Sequence, residues 1–180
     1  MSNRDVVEFL ATVPLLEGVA RANLIELADV MRRRALREGD LLWQEGQQGN
    51  GMALIVDGQV SVTKRLPNDR TVQLAELGPG EALGEIPLID GGEYLSTARV
   101  TEAASVLSLS RPDFAALVSR RHPSAFALKR RVATAATADL RRRLRNLAVP
   151  LGAEAASKPA AEATQTFAEL EPCDVRSAIR

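Results

Sequence analysis

Two short stretches bring together the residue types that hold a small anion. In Gly84-Glu85-Ile86-Pro87-Leu88-Ile89 a bare glycine precedes a carboxylate at the start of one helical turn. At such a start the first backbone N–H groups have no intrahelical partner and are free to face a ligand. In Ser96-Thr97-Ala98-Arg99-Val100 small residues open a strand, and Thr97 adds a hydroxyl. A helix start facing a strand start, both built from small residues, makes a cradle for a negatively charged group. The two halves are joined through an Asp90-Gly91-Gly92 turn, and a Gly78-Pro79-Gly80 turn precedes them.

The rest of the chain reads as a scaffold for that cradle. Residues 3–12 suit a short helix ending near Pro14, and residues 14–18 form an apolar corner. From Arg21 to about Arg32, Leu24, Leu27, Ala28 and Met31 recur at helical spacing. Ten of the twelve glycines then fall between Gly39 and Gly92, punctuating runs suited to strands. These runs are Leu41–Gln44, Met52–Asp57, Gln59–Lys64 and Arg70–Leu77. The Asp57-Gly58 pair predicts an antiparallel hairpin between the second and third of them.

After the cradle, Ser96–Thr101 and Ser105–Ser110 read as two further strands, with Leu107 and Leu109 alternating against serines. A helix follows from Arg111, with Ser110 as N-cap, Pro112 in its first turn and a break at His122-Pro123. A longer helix spans about Ser124 to Leu147, its apolar stripe running through Leu128, Val132, Ala136, Leu140, Leu144 and Leu147. The expected class is α+β: an antiparallel β-roll, jelly-roll-like, with N-terminal helices and a C-terminal helical pair.

Gly84-Glu85-Ile86-Pro87-Leu88-Ile89, followed by Thr97-Ala98-Arg99-Val100, resembles the phosphate-binding cassette of the cyclic-nucleotide-binding domain superfamily. The glycine arrangement Gly39, Gly46, Gly58, Gly80, Gly84 resembles the same roll. The resemblance implies a cyclic nucleotide or related anionic ligand, with no other cofactor. It implies that Glu85 accepts the ribose 2′-hydroxyl, and that backbone N–H groups near Gly84–Ile86 and Thr97–Ala98 hold the phosphate; a Glu85 carboxylate tying the short helical turn to neighbouring backbone is the alternative. Gly84, Glu85, Ile86, Ser96, Thr97, Ala98 and Arg99 are therefore the candidate ligand-binding residues. Two departures stand out: Ser96 occupies the position of the family's phosphate-pairing arginine, and the loop before it is slightly longer than usual. Arg99 is the nearest replacement cation, but three positions along a strand it should face the other way. In regulators of this superfamily the helix matching 124–147 packs against its copy, which implies a homodimer; docking of the stripe on the roll is the competing expectation.

Composition narrows the function. Basic and acidic residues balance at 23 each, and 46% of the 180 residues are hydrophobic, so nothing global directs the chain to nucleic acid or membrane. The single cysteine, Cys173, fits a cytoplasmic protein. The single histidine, His122, excludes a multi-histidine metal centre and with it a cupin-type enzyme. No Gly-x-Ser-x-Gly elbow is present. The expectation is a non-enzymatic regulatory module with no catalytic or metal-binding residues. Its alternative is a ligand-independent dimerisation or interaction module with a degenerate site.

The 124–147 helix also carries Lys129, Arg130, Arg131, Arg141, Arg142, Arg143 and Arg145 against Asp139. They are read as a solvated face rather than a nucleic-acid surface, since no DNA-reading element accompanies them. The expected domain covers residues 1–149. Residues 150–180 are read as a low-complexity tail, with 165–180 either a frayed end with scattered apolar residues or a docking tip for a protein partner.

Overall fold

The computed structural model describes residues 1–155, with side chains through Arg145. Two compact units divide the chain, Met1–Ala138 and a second beginning at Asp139. The expected tail falls almost wholly, and the docking tip entirely, outside the described residues.

Helix α1 (Asn3–Thr12) begins in a capping box. Asp5 N–H donates to Ser2 Oγ, and Ser2 N–H donates to Asp5. A 3₁₀ turn at Pro14–Leu16 makes the expected corner. Helix α2 (Arg21–Val30) follows. It stops two residues before the predicted end because Arg32–Leu36 forms a strand, β1, that the sequence reading left out. Three consecutive arginines carry no alternating apolar signal, so nothing local marks this strand; pairing with β6 makes it.

The sheet continues with β2 (Leu41–Trp43), β3 (Gly51–Arg65), β4 (Thr71–Leu77), β5 (Ala82–Leu83) and, after helix α3 (Glu85–Asp90), β6 (Thr97–Ser110). Every pairing between these strands is antiparallel: β6 carries β1 and β2 on one edge and β3 on the other, and β3 carries β4 and β5. This is the expected antiparallel β-roll. The hairpin expected at Asp57-Gly58 is not there: residues 51–65 are one strand whose register slips between Ile55 and Val60. Gly58 is left-handed (φ +83°), and a Cβ on it would strike the Ala103 carbonyl and Ala104 of β6. It therefore bends the strand against its neighbour instead of reversing it. The two strands expected between Ser96 and Ser110 are likewise a single one, β6.

Alternation along β3 and β6 sorts their side chains into two cores. Inside the roll lie Ala53, Ile55, Val60, Ala98, Val100 and Val106. On the other face Met52, Leu54, Leu107 and Leu109 meet α1, α2 and the C-terminal helices. Helix α4 (Arg111–Ser119) is capped by Ser110, whose Oγ accepts from the Asp113 N–H at 3.2 Å. Helix α5 (Pro123–Ala155) starts after the His122 break and continues past Leu147, through Pro150 and Gly152, both poor helix formers. Leu128 and Val132 are buried in the helix-side core, whereas Leu140 and Leu144 are 57% and 55% exposed. Arg131 is not a solvated cation. It donates to the Leu15 and Pro14 carbonyls and ties α5 to the corner.

Candidate functional site

Gly84 is left-handed (φ +76°) and immediately precedes α3, so the cradle's first half begins as the sequence reading places it. The room that its missing side chain leaves is already used. A Cβ there would come within 2.8 Å of the Trp43 ring and 3.0 Å of the Gly51 carbonyl. Glu85 opens α3 and is half-buried. Burial pushes its carboxyl above the ordinary value, opposed more weakly by its own amide. Among the described residues its side chain makes no ion pair and no hydrogen bond beyond the one to its own amide. Ile86 turns its side chain to the helix-side core, leaving only its amide for the cradle.

On the second half, Ala98 is fully buried and lies between Trp43 of β2 and Val62 of β3. Trp43 is thus the bridge: it pairs with Ala98 and lays its ring on Gly84. Thr97 Oγ1 accepts from the Glu45 N–H at 3.1 Å. Ser96 is half-buried and precedes the first residue of β6. Arg99 is exposed on the face opposite Ala98, with its Nη1 donating to the Gly39 carbonyl at 2.7 Å. Gly84 and Ala98 therefore meet at Trp43, with Glu85 and Thr97 their neighbours in the chain, and Arg99 stands apart, as strand alternation requires.

Three residues that the sequence reading did not single out shape this region. Trp43 and Tyr94 stack with ring centres 4.3 Å apart and planes within 5°. They are the chain's only tryptophan and only tyrosine, which is the signal that could have drawn attention to them. Lys64 lies with Thr97 and Arg65 on the wall of a cleft of about 500 Å³. Its Nζ donates to Glu45 Oε1 at 2.7 Å and to the Leu95 carbonyl, next to Ser96, at 2.8 Å. The Lys64 ammonium, with the Arg65 amide, holds the Glu45 carboxyl below its ordinary value. Lys64 is therefore a cation bonded to the residue before Ser96.

The loop between the halves is strapped down. Tyr94 N–H donates to the Gln47 carbonyl, Gly49 N–H to the Gly92 carbonyl, and Gln48 Nε2 to the Gly91 carbonyl. The Asp90 carboxylate accepts from the Gly92 N–H at 2.8 Å. No cluster of metal-ligating side chains occurs among the described residues. None of the described helices is long and apolar enough to cross a membrane.

The profile of the family described as "Cyclic nucleotide-binding domain" matches residues 33–121. A cyclic nucleotide-gated potassium channel of Mesorhizobium japonicum is 34% identical over 112 residues, which are 62% of this chain and 30% of the channel. A cyclic AMP receptor protein of Thermus thermophilus is 32% identical over 107 residues, 59% of this chain and 50% of that protein. The chain thus spans half or less of the length of these curated relatives. Among solved structures, a cyclic nucleotide-binding-like protein from Brucella abortus superposes with a TM-score of 0.55 at 30% identity, covering 64% of this chain and 98% of that one.

Proposed function

From the premise that the chain belongs to the cyclic-nucleotide-binding domain superfamily, we propose that it is a non-enzymatic regulatory module that senses a small anionic ligand of the cyclic-nucleotide kind. The ligand would use Glu85, the amides of Gly84, Ile86 and Ala98, and the Thr97 hydroxyl. The observation that carries this reading is Glu85. A half-buried carboxyl raised by desolvation, with no partner beyond its own amide among the described residues, suits a hydroxyl donor arriving from outside. Lys64 takes the part of the absent arginine, once a phosphate competes with Glu45 for it.

The route from cassette to output is β6. It begins at Thr97 and ends at Ser110, the cap of α4, and α4 leads to α5. Occupancy would shift the seat of Leu128 and Val132 and so alter what the 124–147 helix offers to a second copy or to a partner. In this reading residues 1–149 form the domain, 150–180 a tail available to a partner, and the setting is cytoplasmic.

Isothermal titration with cyclic AMP, cyclic GMP and a cyclic dinucleotide tests it. We expect saturable heat with at least one of them, weakened about tenfold or more in Glu85→Ala. No heat with any of them selects the second reading, a ligand-independent interaction module. The observations favouring that one are the Trp43 ring seated on Gly84 and the serine at position 96.

A further inference from the structure

A second recess, of about 400 Å³, opens beside β1 and is lined by Arg32, Arg34, Trp43, Ala53, Tyr94 and Ser108 among others. It holds neither Glu85 nor Thr97 and is separate from the cassette. Its size falls within the roughly 300–1,000 Å³ of small-molecule sites. Three features define what would fill it.

The first is charge. Arg32 and Arg34 stand on one face of β1, and neither makes an ion pair or side-chain hydrogen bond among the described residues. Arg33 between them points the other way and donates its Nε to Ser105 Oγ at 2.8 Å. No carboxylate lines the recess. Two uncompensated guanidinium groups on one wall repel each other and favour an anion between them.

The second is Ser108, directly across the ladder from Arg32. Its Oγ is buried and has no hydrogen-bond partner, an unfavourable state that leaves the recess wall with an unsatisfied hydroxyl. The third is the wall itself: the stacked Trp43–Tyr94 pair is flat and mostly apolar, suited to a ring laid along it. The Tyr94 hydroxyl is already committed, donating to the Gly51 carbonyl and accepting from the Asn50 N–H, so the pair is held rigidly.

We propose that this recess binds a small aromatic anion, a carboxylate or monophosphate, with its charge between Arg32 and Arg34 and its ring along Trp43. Because the same indole rests on Gly84, an occupant here shares a wall with the cassette. The site stands whether or not the cassette binds a nucleotide.

Trp43 is the only tryptophan, so intrinsic fluorescence of the full chain reads the wall directly. The probes are benzoate, phenyl phosphate and inorganic phosphate. Benzoate or phenyl phosphate should change the emission saturably with a midpoint near or below about 1 mM, and inorganic phosphate should bind about tenfold more weakly or worse. Arg32→Ala/Arg34→Ala should raise the midpoint about tenfold or more, Arg34→Ala alone should fall between, and Arg33→Ala should match the parent. Melting curves establish that the variants fold; Arg32 and Arg34 are exposed, so Arg34→Ala retains the roll. The absence of a saturable change with both organic anions would overturn the proposal. So would equal affinity for inorganic and phenyl phosphate, or an Arg33→Ala loss as large as that of the double variant.

Discussion

Glu85 sits half out of water at the head of α3 without a cation beside it, and its carboxyl is raised above the ordinary 4.5. The sign of the consequence follows. Between the unfolded value and the raised folded value the native state binds more protons than the unfolded one, so stability falls as pH rises through that window. Ionised Glu85 is thus a burden above the window and none below it. Glu85→Gln should raise the melting temperature at about pH 8, and the gain should vanish near pH 4. Thermal melts across that range check it; a gain independent of pH would show that the carboxyl is not desolvated. Thr97 Oγ1, already accepting from the Glu45 amide, keeps its own proton and one lone pair.

At the scale of elements, α5 shows what a repeating pattern reveals and what it withholds. The apolar stripe from Leu128 to Leu144 was legible as one helical face, yet only Leu128 and Val132 have a core to enter. Leu128→Ala should destabilise the protein by about 2–5 kcal/mol, whereas Leu140→Ala should stay within about 0.5 kcal/mol for the monomer. Urea unfolding at constant slope distinguishes them. Periodicity names a face; the surface opposite it decides burial. The same limit hid β1, whose arginines become a strand only because β6 offers an edge. It also made Asp57-Gly58 read as a reversal, since the deciding neighbour, Ala104, lies far along the chain. By contrast, α1, the Pro14 corner and the Ser110 cap rest on contacts within a few residues, and these were readable. In the cradle, the glycine and the carboxyl were legible from local spacing. Lys64 and Trp43 were not, because each reaches it across the sheet.

For the molecule as a whole, Leu140 and Leu144 belong to the second unit, where Arg142 and Arg143 both bond Asp139. Apolar residues this exposed at helical spacing suit a seam between two copies. We therefore expect a concentration-dependent dimer by light scattering or sedimentation, and a monomer for Leu140→Glu/Leu144→Glu with the melting of the roll unchanged. A monomer at every concentration would leave the 124–147 helix to a different protein.

Strand β6 runs 14 residues, with Ala98, Val100, Ala104 and Val106 entering the roll and Leu107 and Leu109 entering the helix side. Adding one residue after Thr97 would send Val106 and Leu107 each into the wrong compartment, together with everything between them and the insertion. The loop between Asp90 and Ser96 lies earlier, before the first residue of β6. A residue inserted there should re-tune the mouth of the cradle while the reading frame of the ladder stays intact.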